Sequence, residues 1–439
     1  MSVDTIQELT NLLRDRIVPG YSTDCSILCP LKTEKNRLKK QLICIIKKLH
    51  ENDSEKEFCQ KLIKVKREIE TTFESIIHVI QYIESSQNGN AESEFNKIMD
   101  SLKQYLVVTS MICGQQLFRI RQSEEKLKNK TDLFHIPFEK KHLISSQRYS
   151  IAGTPCLYLS DSFYTAWQEC GYPTDYYYAT FTVSLSNVKV IVLENPNQFA
   201  VNIQSSPVQD NPQVRNSILS YLRTYPLIYA CSLINQNRKS PYKQEYLISQ
   251  QLLQWLYRNN SFAKGIKYFP VNSMDYKNEI LSYNYAFPAI QKSAREKYSK
   301  DLLAVFNISN PTKSRSILSQ IYSDKVGSFC EELLQYNKDA PRGMTLYVDA
   351  FLSMGRSLYV AMNSTCKENM ENVLYVARSV ANCGDLLSKI NFESSEEGLK
   401  DEILRLFRKF ESEVKNTARE LYEKWMFGNF IISKPEKKS

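Results

Sequence analysis

RYSIAGTPCLYLSDSFYTAWQE, residues 148–169, is the stretch on which the fold reading turns. Its centre, CLYLS at 156–160, is short, apolar and rich in strand-forming side chains, and Gly153 and Pro155 stand before it as punctuation. DSFYTAWQECG at 161–171 then reads as a short helix. Outward on the C-terminal side lie two further strand-like runs, YYYATFTVSL at 176–185 and VKVIVLE at 188–194, followed by a helix over 244–258. Outward on the N-terminal side the texture changes. Apolar residues recur at helical spacing over 36–51 (Leu38, Leu42, Ile45, Ile46, Leu49) and 55–86 (Phe58, Leu62, Ile69, Phe73, Ile76, Ile80), and 93–116 reads as a third helix. From 316 onward helical periodicity returns over 317–336, 345–364, 367–388 and 396–427. The expected organisation is a helical N-terminal region (1–114), an α+β domain (115–315) and a helical C-terminal region (316–439).

Composition narrows the function classes. The chain has 439 residues with 42% hydrophobic and 24% charged side chains, the balance of an ordinary globular protein. It holds 27 Tyr but only 12 Gly, and neither GxGxxG nor GxxxxGK[ST] occurs, which argues against a glycine-rich phosphate loop. The net charge of +9 is dispersed in small clusters such as 35–40 and 126–130, so the sequence argues against a nucleic-acid partner. The start MSVDTIQELTNLL lacks a basic, apolar leader, and no long apolar run is present, so neither secretion nor a membrane span is expected. Eleven irregularly spaced Cys fit reduced thiols in a cytoplasmic protein. Cys25 and Cys29 lack two further ligands nearby, and the four His are not at zinc-finger spacing, so no metal is expected.

The chemistry-bearing residues of the middle region are Arg119 and Arg121 in LFRIR (117–121), Arg148, Tyr158 and Glu169. Arginine forks hold phosphate oxygens at two points, a tyrosine offers a flat face to a heteroaromatic ring, and a carboxylate can stabilise an oxocarbenium-like sugar. Each also has a plain structural reading. Arg119 could be a helix-end side chain reaching water, Arg148 a surface ion pair, Tyr158 a core strand residue and Glu169 a helix-end charge before Gly171. His135 in FHIPF and Glu245 read as structural residues, and Cys156 and Cys170 have no evident His partner for thiol catalysis.

Residues 148–169 resemble the core signature of the RES-domain family, named for its Arg, Glu and Ser. LFRIR resembles the arginine element that precedes that signature, QEYLISQQLLQWL (244–256) its later helix, GIKYF (265–269) its next strand, and YSKDLLAVFNISNPTK (298–313) its closing segment. The resemblance runs in the family's order from 117 to 313. It implies an α+β fold similar to ADP-ribosyltransferases, and a bacterial toxin or defence effector that consumes NAD⁺ by breaking the nicotinamide–ribose bond, with water or phosphate as acceptor. An ADP-ribosyltransferase acting on a protein or nucleic acid is one alternative; a catalytically inactive fold used for interaction or sensing is another. By the same resemblance Arg119 and Arg148 hold the NAD⁺ phosphates, Tyr158 and Tyr149 line the nicotinamide pocket, and Glu169 serves the ribose. A protein antitoxin, inhibitor or trigger is the implied partner, and the helical flanks are the expected place for homo-oligomer contacts. The family serine falls on Pro270, which has no hydroxyl and no backbone donor; Ser273 is the substitute candidate, with Asn272 beside it.

Overall fold

In a computed structural model of the chain, the residues described are 3–13, 26–161, 165–166, 169–170, 176–204, 211–235, 240–271 and 283–313. The expected helices between 316 and 439 lie outside them. The chain divides into two compact units. The first is built from Met1–Arg119, Asn129–Asp161 and Thr180–Ser309, the second from Ile120–Lys128, Ser162–Ala179 and Asn310–Ser439.

The first unit begins with helices α1 (Val3–Asn11), α2 (Leu28–His50), α3 (Lys56–Glu84) and α4 (Asn88–Leu102). In α3 the apolar positions Leu62, Val65, Ile69, Phe73, Ile76 and Ile80 form one stripe, and all are buried. The reading of 93–116 as a third helix needs correction. The helix ends at Leu102, and Val107–Ser110 is a strand, β1. Two valines and a threonine in four residues favour the pleated form, and pairing with another strand decides the matter.

The strands that follow are β2 (Gln116–Arg121), β3 (Cys156–Ser160), β4 (Tyr177–Val183), β5 (Lys189–Leu193), β6 (Gly265–Tyr268), β7 (Asn284–Pro288) and β8 (Phe306–Ile308). They make one mixed sheet in the order β1-β5-β6-β7-β3-β2-β4-β8. In the second unit the start of β4 pairs with β9 (Thr312–Lys313), Tyr177 opposite Lys313. The mixed helix and sheet content agrees with the expected α+β class.

Strands β5 and β6 run parallel, with Ile191 beside Ile266. A parallel pair needs a long crossover, and the chain supplies α5 (Pro196–Gln204), α6 (Pro212–Cys231) and α7 (Leu247–Arg258) between them. Helix α6 starts where the Asn211 side chain accepts from Gln213 N at 2.8 Å, with Pro212 in the first turn. Its second half, Thr224–Cys231, is buried without interruption. The helical layer and one sheet face share a core that includes Ile191, Leu193, Ile266, Ala286 and Cys156. The opposite face carries its own aromatic packing, with Phe287 against Phe306 at 5.1 Å and Phe181 against Phe306 at 6.0 Å.

The N-terminal helices are joined to α6 by polar as well as apolar contacts. Tyr225 OH donates to Glu34 at 2.8 Å, Glu34 also pairs with Arg37, and Arg223 pairs with Glu68 at 2.6 Å. Phe73 meets Tyr229 edge-on at 6.2 Å.

Gly265 opens β6 where its neighbour β7 leaves no room. A Cβ there would stand 2.5 Å from the Phe287 ring and 3.1 Å from the Ala286 carbonyl oxygen. Gly265→Ala is therefore expected to destabilise the unit by roughly 1–3 kcal/mol, because a buried ring in a paired strand must move. Thermal unfolding measures this, and an unchanged melting temperature would show the strand pair more pliant than its packing implies.

Candidate functional site

Residues 148–158 of that block lie in the first unit, where β3 and its sheet neighbours β7 and β6 meet the helical layer. Strand register puts Tyr158 opposite Ala286 of β7, and Ala286 opposite Ile266 of β6. Two residues along, Ser160, Asn284 and Tyr268 form the next row on the same face. Opposed residues share a face, so Tyr158 and Tyr268 lie on the face turned to α6 and α7.

Arg148 is 7% exposed, so the surface ion-pair reading is corrected: it is a buried cation. Its Nη1 donates to the carbonyls of Cys231 at 3.1 Å and Leu233 at 3.0 Å, the end of α6, where a positive charge also meets the negative end of the helix dipole. Its guanidinium lies 4.8 Å from the centre of the Tyr246 ring. Its Nη2 is buried with no hydrogen-bond partner, and no carboxylate pairs with it among the described residues. A buried cation lacking a counter-charge is costly, and an anion is the species that would offset it.

Tyr149 is 1% exposed and packs against Tyr268 with ring centres 4.5 Å apart. The Tyr158 hydroxyl accepts from Tyr149 N at 3.2 Å and shares a hydrogen bond with Ser150 Oγ at 2.9 Å. Burial pushes both phenols well above their ordinary range, so both stay protonated. Arg148, Tyr149 and Tyr158 therefore form one cluster with Tyr268. Tyr149 also lines a cleft of about 510 Å³ bounded by Phe138, Thr154, Gln254 and Tyr257.

Arg119 stands half-buried on β2. Its charge acts on Cys156 and on His135. Burial pushes the Cys156 thiol up to about 12, which leaves no reactive thiolate at neutral pH. His135 is buried and structural: its Nε2 accepts from Ser299 N at 2.9 Å and its Nδ1 donates to the Ile136 carbonyl at 2.8 Å. Glu245 is also buried. Glu169 is exposed in a short helical stretch of the second unit. Pro270 is buried just past β6, while Asn272 and Ser273 lie outside the described residues. No group of three or more metal-ligating side chains occurs among the described residues.

Gln250 of α7 holds the loop that carries the cluster. Its Nε2 donates to Ser146 Oγ at 2.8 Å, Gln147 O at 3.0 Å and Ser150 O at 3.4 Å, and the neighbouring Ser249 Oγ donates to Cys231 O at 3.2 Å. In the sequence the only signal for Gln250 is its place in QEYLISQQL. The Cys231 and Leu233 carbonyls left no signal, because any residue can present one. Gln250→Ala is expected to cost about 1–2 kcal/mol and to speed amide exchange over 146–150. Unchanged exchange there would mean that the loop is held by other contacts.

One mixed sheet, a helical layer on one face and a buried arginine–tyrosine cluster between them define an α+β protein whose candidate site is preformed. Over 260 residues the chain is 32% identical to the protein described as "Putative toxin YopC" of Bacillus subtilis (strain 168). That match takes in 58% of this chain and 57% of the relative, so it spans little more than half of each. No protein-family profile matches the chain, and no solved structure matches it. No helix among the described residues is long and apolar enough to cross a membrane.

Proposed function

We propose that this chain is a toxin or defence effector that consumes NAD⁺ by breaking its nicotinamide–ribose bond, with an ADP-ribosyltransferase-like RES domain as the catalytic part. The observation that carries the reading is Arg148, a buried guanidinium with Nη2 unpaired, next to three tyrosines. A pyrophosphate supplies the missing negative charge, and the tyrosines supply flat walls for a nicotinamide ring. The similarity to a protein described as a putative toxin supports the toxic role, and with it a protein antitoxin as partner.

In this reading Arg148, with Arg119, holds the phosphates, and Tyr158 and Tyr149 border the nicotinamide. The C1′–N1 bond breaks, nicotinamide leaves as the neutral base, and the cationic ribose carbon is captured by water or phosphate, whose proton passes to solvent. The carboxylate that steadies the ribose is Glu169 by resemblance. Nicotinamide release from purified protein, with and without phosphate, tests the proposal. Glu169→Gln is expected to lower turnover at least about 100-fold, the scale of a lost charge-stabilising group. A phosphorylated ADP-ribose product marks phosphorolysis, and unphosphorylated ADP-ribose marks hydrolysis. Label left on a protein or nucleic acid marks a transferase.

A second reading, cofactor binding without turnover, draws on Pro270. A buried proline stands where the family serine is expected, and it can give neither hydroxyl nor backbone N–H. ADP-ribose binding with no nicotinamide release from folded, inhibitor-free protein would favour it.

A further inference from the structure

We infer that the chain forms a two-fold dimer by pairing its edge strand β1 with β1 of a second copy. Among the described residues β1 is the outermost strand of the sheet, bonded on one side to β5. Met111 N donates to Val188 O at 2.8 Å, which continues the register Val107↔Val192 and Thr109↔Val190. Hydrogen-bonded pairs alternate along an antiparallel ladder, so Val107, Thr109 and Met111 turn their backbone groups toward β5. Val108 and Ser110 therefore turn theirs outward, along the open edge.

Sheet edges are ordinarily blunted by charge, proline or a bulge. None of these is present here. From 104 to 118 the sequence is QYLVVTSMICGQQLF, without a charged side chain or a proline. Val107 is 45% exposed, Ile112 70% and Leu185 45%, and the Cys113 thiol bonded to Ser184 O at 3.8 Å keeps the last two side by side in the fold. At the other edge β8 has three residues, of which Phe306 and Ile308 are buried.

The strand is complementary to itself. With Thr109 on the two-fold axis, Val108 faces the partner's Ser110 and Ser110 faces the partner's Val108. All four outward-pointing residues then exchange N–H and C=O in narrow pairs. Val107 lies across from the partner's Met111, so an exposed apolar side chain meets another apolar one. No like charges oppose each other anywhere along this register. A second copy is the occupant that satisfies the edge with its own sequence, and the result is a sheet continued through both subunits.

Light scattering on the full-length protein across a dilution series tests this. A dimer is expected, weakened roughly tenfold or more by Thr109→Lys, which sets two ammonium groups across the axis. Val108→Pro removes an outward donor on each copy and should weaken it comparably. Both variants should keep the wild-type circular dichroism and melting profile at low concentration. Thr109→Cys places two thiols in a non-hydrogen-bonded pair close enough to bridge, and mild oxidation should crosslink it where wild type is not crosslinked. A monomeric wild type, or a dimer unmoved by both Thr109→Lys and Val108→Pro, overturns the proposal. A monomer that instead captures a strand of another protein at this edge overturns it as well.

Discussion

Arg148→Ala is expected to destabilise the first unit by about 2–4 kcal/mol and to remove NAD⁺ binding. Two buried carbonyls, Cys231 O and Leu233 O, lose their donor, and each unsatisfied acceptor costs on the order of 1–3 kcal/mol. The end of α6 loses its charge partner and the Tyr246 ring loses the group stacked on it. Relief of a buried cation without a counter-charge offsets part of this, which keeps the net figure moderate. Arg148→Lys separates the two roles. The ammonium can still reach one carbonyl but cannot present a fork, so the fold should survive while phosphate binding fails. ADP-ribose at about 100 times its dissociation constant should raise the stability of wild type by about 2.7 kcal/mol and leave Arg148→Lys unmoved. An equal thermal shift in both would place the anion elsewhere.

Stability is expected to fall by about 3 kcal/mol between pH 6.5 and pH 4 through His135 alone. Burial, then the charge of Arg119, lowers its pKa from 6.5 to about 4. The hydrogen bonds explain why the neutral form is required. Nε2 must accept from Ser299 N, and a proton on Nε2 would point at that N–H. Phe134, Phe138 and Tyr298 close the ring off from water, with ring centres at 4.6, 5.1 and 5.5 Å. Above pH 6.5 both folded and unfolded forms are neutral and the group contributes nothing. As pH falls toward 4 the unfolded chain takes up a proton that the folded one refuses, so stability drops; below 4 the loss is complete. His135→Gln should flatten this part of the stability–pH curve while lowering stability at neutral pH. A curve of unchanged slope in the variant would assign the acid sensitivity to other groups.

Much of this architecture was legible because the period of burial matched the period of the backbone. CLYLS and VKVIVLE became β3 and β5, with the first at its quoted bounds, and the stripe over 55–86 became α3. What stayed hidden was set by tertiary context. α6 is buried nearly all round in its second half and carries Pro226, so it presents no amphipathic period to read. β1 hides inside a helical period because four residues are too few for a pattern, and their state is set by β5 beside them. At the site, the resemblance of 148–169 to the RES signature points to Arg148, Tyr149 and Tyr158, yet nothing in it tells that Arg148 is buried. That burial depends on α6 bringing two carbonyls across from Cys231 and Leu233, more than eighty residues away. Glu169 lies in the second unit and Ser273 outside the described residues, so for these two the sequence remains the only guide.

The most direct measurement is nicotinamide release from NAD⁺ by purified full-length protein, run beside Arg148→Lys at matched folded concentration. Release by wild type, reduced at least about 100-fold in the variant while its circular dichroism is unchanged, is the predicted result. No release from folded wild type free of any bound inhibitor, or equal release by both proteins, would contradict NAD⁺ cleavage at the Arg148 cluster.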